Sequence, residues 1–228
     1  MKFSGFLLIA LAFAGVSLPA QPPTRNPFVR SAGQATVSVN PDLARIDFSA
    51  VTQAPNAQAA SAQNAMQVSS LISQLQALLG ANADIKTVNY SLTPNYTYPR
   101  DGGTPTLVGY TAANTVRVTT GDLASVGRVI DSGIQAGANQ VSNLQFGLKD
   151  DQPARVQALK LATAQAKVRA DAMAAGAGMH TGAYRSIEEG VAVRSPIVGA
   201  GAAAPATPIV SGRVDVEATV TIEIDLIP

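Results

Sequence analysis

From Val214 to Leu226 the chain alternates without interruption. Val214, Val216, Ala218, Val220, Ile222, Ile224 and Leu226 fall on one side of an extended backbone, and Asp215, Glu217, Thr219, Thr221, Glu223 and Asp225 on the other. Successive side chains of a strand point to opposite faces, so this segment is satisfied with one face on a core and the other in water. A strand buried on both faces, as in a doubly wound parallel sheet, reads instead as a continuous apolar run. The expected class is therefore α+β, an antiparallel or mixed β-sheet covered on one face by about three helices.

The helices are legible from their periodicity. Between Asn56 and Leu79 the residues Ala57, Ala60, Asn64, Ala65, Val68, Leu71, Ile72, Leu75, Leu78 and Leu79 recur mostly at spacings of three and four, and Gly80 follows as a stop. Asp122 is placed to cap a second helix running to about Ala136, with Gly137 after it. Pro153 opens a third, to about Ala175, in which Ala158, Ala162, Ala166, Ala170 and Ala174 form a stripe four residues apart. Val156, Leu159 and Met173 lie beside that stripe.

Strand signals fill the intervals. Gly33 to Val39 and Leu43 to Val51 both alternate around Asn40-Pro41-Asp42, which reads as a β-hairpin. Ile85 to Tyr98 and Leu107 to Thr119, joined through Asp101-Gly102-Gly103, read as a second and longer one. Val141 to Leu148 and a short stretch around Tyr184 to Ile187 are further strands. Residues 191–212, dominated by Ala, Gly and Pro, read as a flexible loop inside a domain spanning residues 33–228.

The N-terminus sets the compartment. Met1-Lys2, an uncharged apolar run from Phe6 to Val16 and the small Ala20 before Gln21 form a Sec-type signal peptide over residues 1–20, with cleavage after Ala20. The run is shorter than the roughly 20 residues of a membrane-spanning helix, and no later stretch reaches that length. The sequence thus predicts a periplasmic or secreted protein with no membrane span after cleavage. Residues 21–32, with three prolines, form an extended leader.

Removing residues 1–20 takes away one charge, Lys2, so 16 basic residues become 15 against 15 acidic ones and the net charge falls to zero. With Lys and Arg scattered singly among acids, no basic stripe exists to neutralise phosphates, and nucleic acid is not an expected partner. The chain has no Cys, no Trp and a single His, which closes off thiol chemistry, cysteine-based zinc sites and most His-based catalysis. His180 reads as a structural residue past a helix end. Asp150-Asp151 and Glu188-Glu189 suggest acid–base pairs only superficially, since neighbours on a strand face opposite ways and acids before Pro153 favour a helix start. Gly199-Ala200-Gly201 lacks the third glycine of a phosphate-binding loop. No catalytic, metal-binding or cofactor-binding residue is assigned, no cofactor is expected, and the chain is read as a non-enzyme.

The positive signal is a surface. No charged residue occurs between Asp47 and Asp84, and Gln63, Gln67, Ser70 and Gln74 line one stripe of the first helix. Charge is depleted at interface cores because desolvating it is costly. Tyr90, Tyr96 and Tyr98 sit at spacings that place them on one face of the long hairpin, and Tyr is enriched at interfaces. These seven residues form the candidate interaction surface.

The order of landmarks resembles the SIMPL domain family. The resemblance rests on Gly33-Gln-Ala-Thr-Val-Ser-Val-Asn-Pro41-Asp42 with Ala44 and Ile46, on Ile85-Lys-Thr87 with Leu92 and Pro94, and on Gly109-Tyr110 with Asn114-Thr115-Val116. It continues through Gly137-Ala138-Asn139 with Val141, the Ala158-to-Ala174 helix and the last strand. It implies an α+β envelope protein that assembles into homo-oligomers, a link with oxidative-stress tolerance, and no established reaction or cofactor. The function expected is a self-associating interaction or scaffold module, with other envelope proteins as further partners. The alternative is a periplasmic small-molecule binder or hydrolase that uses residues 191–212 as a lid.

Overall fold

A computed structural model describes residues 26–81, 83–195, 199–200 and 209–228. The signal peptide, its cleavage site and residues 21–25 of the leader lie outside the described residues, and the rest of the leader runs into the first strand, which begins at Phe28 and not at Gly33. The elements are, in order, β1 (Phe28–Val39), β2 (Leu43–Ala54), α1 (Ala57–Leu79), β3 (Asp84–Thr97), β4 (Thr106–Thr120), a 3₁₀ turn (Leu123–Ser125), α2 (Val126–Gln135) and β5 (Gln140–Gly147). They are followed by α3 (Gln152–Gly176), β6 (His180–Arg194), β7 (Gly199–Ala200), β8 (Ile209–Val210) and β9 (Val214–Ile227).

The class is α+β, with antiparallel pairing and three α-helices among the described residues, but the strands form two main sheets. One has the order β3-β4-β2-β5, the other β1-β9-β6, and β7 and β8 make a two-residue ribbon. Each main sheet has its own core. On the four-stranded sheet, Ala44, Ile46, Phe48 and Ala50 of β2 and Val116 and Val118 of β4 meet Val68, Leu71 and Leu75 of α1 and Val126, Val129 and Ile130 of α2. On the three-stranded sheet, Val216, Ala218, Val220, Ile222 and Ile224 of β9 meet Ala154, Ala158, Ala162, Ala166 and Ala170 of α3. The unbroken alternation of the last strand is thus the central strand of the smaller sheet.

The β1–β2 hairpin is the main correction. Both strands exist where the alternation places them, yet they do not pair with each other: β1 pairs with β9 from Phe28↔Asp225 to Val39↔Val214, and β2 pairs with β4 and β5. Asn40-Pro41-Asp42 is a crossover between sheets. Alternation reports which face of a strand is buried and is silent about its neighbour. The long hairpin does form, β3 on β4, with irregularities between Thr87 and Asn89 and between Asn95 and Tyr96.

Local chemistry explains the helix ends. Asn56 caps α1 by accepting from the Ala59 amide (2.8 Å), and Gly80, at φ 94°, closes it with its amide on the Gln76 carbonyl (2.8 Å). Asp122 does not cap α2 with its carboxylate. Its carbonyl accepts from Ser125 and its amide donates to Thr120 Oγ1, so the helix enters through a tight 3₁₀ turn. Pro153 opens α3 as its spacing implies, while Asp150 accepts from the Gln152 amide (2.9 Å) and Asp151 pairs with Arg155 one turn on.

Small side chains let α3 lie very close to β1. A Cβ added to Gly33 would sit 2.0 Å from the Ala162 carbonyl oxygen and 2.5 Å from the Ala166 nitrogen. Ser31 donates its hydroxyl to the Ala166 carbonyl (2.9 Å) across the same contact. The glycine and the alanine stripe are two halves of one close approach. The strand expected near Tyr184 is the fifteen-residue β6, reaching Arg194, and Ile209 of β8 packs against the larger core. The stretch read as a loop from 191 to 212 therefore contains the end of β6 and the β7–β8 ribbon; residues 196–198 and 201–208 lie outside the described residues.

Candidate functional site

The uncharged stripe of α1 lies on the flank turned toward α2. Gln63, Ser70 and Gln74 are exposed, whereas Gln67 is half-buried. Its Oε1 is enclosed without a protein donor, and its side chain lies beside Gly137, where an added Cβ would be 3.7 Å away. One of the four residues thus spends its aliphatic stem on the α1–α2 seam. Deeper in the helix, Asn64 is almost wholly buried and donates to the carbonyls of Ala50 (2.7 Å) and Ala112 (3.2 Å), which ties α1 to the sheet through an amide rather than through packing alone.

The tyrosines occupy the opposite flank. Tyr90 reaches over β3 so that its hydroxyl is 3.0 Å from Ser61 Oγ on α1. Since β3 and β5 are the two outer strands of the sheet and α1 runs above it, the Gln stripe and Tyr90 face away from each other. Tyr96 shares the strand parity of Tyr90, and Tyr98 lies just beyond the last residue of β3. The seven sequence-predicted residues therefore form two patches, not one.

The tip of the long hairpin is the most exposed apolar feature of this sheet. The last β2–β4 pair is Ala54↔Tyr110, so from Asn95 to Gly109 the hairpin continues as a two-stranded arm with no third strand beneath it. The packed layer under α1 also ends there, at Ala54, Ala60, Ala112 and Tyr110. Beyond it Tyr96 (48% exposed), Tyr98 (72%), Leu107 and Val108 (59%) stand in solvent. Leu107 and Val108 join the tyrosines although the sequence reading left them out. Their signal was an apolar pair just past the Asp-Gly-Gly turn, beyond the reach of any helix.

Polar residues with built geometry serve the fold. On the open face of the four-stranded sheet, Asp47 of β2 receives a bidentate hydrogen bond from Arg117 of β4 (2.7 Å from both Nε and Nη2) and a third from Asn143 Nδ2 (2.9 Å). Asn143 holds a positive φ of 54° at an irregularity of β5, the one such non-glycine among the described residues. Chiefly through the Arg117 hydrogen bond, and secondarily through Asn143 and the Arg117 charge, the Asp47 carboxyl titrates below the usual carboxylate range despite the opposing effect of burial. Both of its oxygens are engaged and the side chain is buried, so the carboxylate serves the sheet and is not presented to a reactant.

The other ionisable groups are similarly placed. Asp150 and Asp151 are engaged at the start of α3, and Glu188 and Glu189 stand opposite Thr221 and Val220, on opposite faces of β6. His180 is the exposed first residue of β6. Among the described residues no three His, Cys, Asp or Glu side chains gather into a metal-sized group, and no helix is long and apolar enough to cross a membrane. The outer face of the smaller sheet is a ladder of paired charges: Arg30 with Glu223, Arg185 with Asp225 and Arg194 with Glu217, while Gln34 also binds Glu217 and Ser38 binds Asp215.

The chain is similar to proteins named for their location or left without a described activity. It is 29% identical over 198 residues to the 26 kDa periplasmic immunogenic protein of Brucella melitensis, covering 82% of this chain and 77% of that protein. It is 28% identical over 197 residues to the uncharacterized protein YggE of Escherichia coli K12, covering 86% and 79%. The YggE protein of Edwardsiella ictaluri is 28% identical over 190 residues, covering 82% and 79%. The model of the SIMPL family, a protein of unknown function (DUF541), matches residues 29–224, the span that holds both sheets and all three helices, and the chain therefore belongs to the SIMPL family.

Proposed function

We propose that this protein is a non-catalytic module of the bacterial envelope that associates with copies of itself, and with other envelope proteins, through the hairpin arm and the uncharged flank of α1. One observation carries the reading: the arm from Asn95 to Gly109 displays Tyr96, Tyr98, Leu107 and Val108 without a core of its own. A two-stranded ribbon is marginal in water by itself, so a partner surface over those side chains would stabilise arm and assembly together. Because the Gln stripe lies on the other flank of α1, two separate contact faces become available. A chain with two non-overlapping faces builds larger assemblies, whereas a single self-complementary patch stops at a two-fold dimer.

The periplasm is the proposed location, supported by the sequence of the first 20 residues and by the Brucella relatives, which are named periplasmic immunogenic proteins. Any part in oxidative-stress tolerance would run through assembly, because a chain without Cys has no thiol to oxidise. The lid-covered alternative has as its nearest geometric support a cleft of about 440 Å³ beside Val193 and Ser195, lined also by Arg45, Lys149, Asp150 and Asp151. Its two carboxylates hold the start of α3, which favours the non-catalytic reading.

Light scattering coupled to size exclusion tests it. The protein should run as an oligomer at micromolar concentration, and the double variant Tyr96→Lys/Tyr98→Lys should shift to a smaller species with unchanged circular dichroism. A wild-type monomer across that range sinks the proposal.

A further inference from the structure

The three-stranded sheet is only partly roofed. α3 lies over β1 and β9 and reaches β6 along one margin, so the side chains of β6 on the helix side are left beside the helix instead of beneath it. Ile187 opposes Ile222 and Val191 opposes Ala218, both inward-facing positions of β9, yet Ile187 is 58% exposed. Between this edge strand and the flank of α3 runs a trough of about 540 Å³, lined by Val156, Leu159, Lys160, Thr163, Lys167 and Tyr184, with Ala164 at its rim. That volume lies within the range of about 300–1,000 Å³ typical of small-molecule sites. From Val156 to Lys167 the helix advances about 16 Å.

The lining is apolar apart from two lysines, and Glu189, on the helix side of β6 between Ile187 and Val191, forms an ion pair with neither. Lys167 is held by Asp171, and Thr181 joins the same group. Lys160, one helical turn from Val156, has no acidic partner among the described residues. An elongated apolar trough with one uncompensated ammonium on its wall complements a molecule that is mostly hydrocarbon and ends in a single negative charge. A peptide would bring backbone polar groups that the apolar floor cannot satisfy.

We propose that the trough between α3 and β6 binds a free long-chain fatty acid, with its hydrocarbon on Val156, Leu159, Ala164 and Tyr184 and its carboxylate on Lys160. This is independent of self-association, since it uses neither the hairpin arm nor α1. The floor sets preference for chain length, and the lysine sets preference for an acid over its neutral analogues.

The experiment is displacement of the fluorescent fatty acid cis-parinarate from the purified full-length chain, kept below the micellar concentration. Oleate should displace it and oleyl alcohol should do so at least about fivefold less well, the scale of one partly exposed charged contact. Affinity should rise from decanoate to palmitate by up to roughly fourfold per methylene buried. Lys160→Ala should weaken oleate about fivefold and leave oleyl alcohol unchanged. Thr163→Trp, which fills the trough, or Val156→Glu, which charges its floor, should abolish displacement, with folding checked by circular dichroism and oligomer size by light scattering. Leu161→Trp, on the flank of α3 whose Gln165 and Arg169 reach β1, should bind as the unsubstituted chain does. Absence of parinarate binding, equal binding of acid and alcohol, or retention of binding by both trough variants overturns the proposal. So does association found only with anionic phospholipid vesicles, which would assign the trough to a membrane surface.

Discussion

Gly33 and Asp47 show how much a single position can carry without announcing it. Gly33 reads as the first residue of an alternating strand, and only the tertiary structure shows the α3 backbone where a methyl group would go. Gly33→Ala should cost about 1–3 kcal/mol through forced separation of α3 from β1, lowering the melting temperature by several degrees. A Gly33→Ala protein that melts with the wild type would refute the close contact. Asp47 falls within the alternating stretch from Leu43 to Val51, and its partners Arg117 and Asn143 lie 70 and 96 positions away. Sequence spacing holds no trace of such a triad.

Its titration has a definite sign. The folded-state pKa of Asp47 is depressed, so its contribution to stability is present above the unfolded value of about 3.9 and is lost as pH falls through the folded value. Asp47→Asn, whose side chain does not titrate, should therefore be less stable than the wild type at pH 6. The difference between their melting temperatures should shrink below about pH 4, and a constant difference from pH 6 to pH 3 would remove the ion pair from the account.

At the scale of elements, periodicity found the helices and the face each strand buries, and missed which strands are neighbours. Strands β1 and β2 alternate, flank a turn-like Asn-Pro-Asp and pair with different sheets, because each apolar face is completed by a different helix. The alanine spacing of α3 was legible as close packing, while its partner was not. The Tyr positions were legible as a hairpin feature, but their separation from the Gln stripe depends on where α1 lies across the sheet. The arm supplies the prediction at this scale. Replacing residues 96–108 with a two-residue Asn-Gly turn between the paired Asn95 and Gly109 should leave the cooperative unfolding transition of both cores intact while reducing oligomer mass. Collapse of the fold would instead make the arm part of the structure.

The whole molecule has an insertion plan that no local pattern reveals. Residues from Leu43 to Gly147 build the four-stranded sheet with α1 and α2, and the smaller sheet is closed by β1 before them and α3, β6 and β9 after them. The two crossings run side by side: the Asp42 amide donates to the Gly147 carbonyl (3.1 Å), and Asp42 Oδ1 accepts from the Lys149 amide (2.7 Å). Leu43 and Gly147 are themselves paired. A fragment of residues 42–148 has its ends together and most of its core, and should fold alone with native-like circular dichroism, less stably for want of Ile209. A fragment without a cooperative melt would show that the larger core depends on the smaller sheet.

The β1–β9 ladder also sets how the molecule answers tension. Phe28 and Asp225 occupy the same rung, with the remaining pairs running away from them to Val39↔Val214. A pull applied at those two residues would open the hydrogen bonds one after another, like a zipper, instead of straining them all at once in shear. Held at Phe28 and Asp225, this protein would yield at low force, giving up β1 and that strand's contact with α3 while the larger core stayed closed.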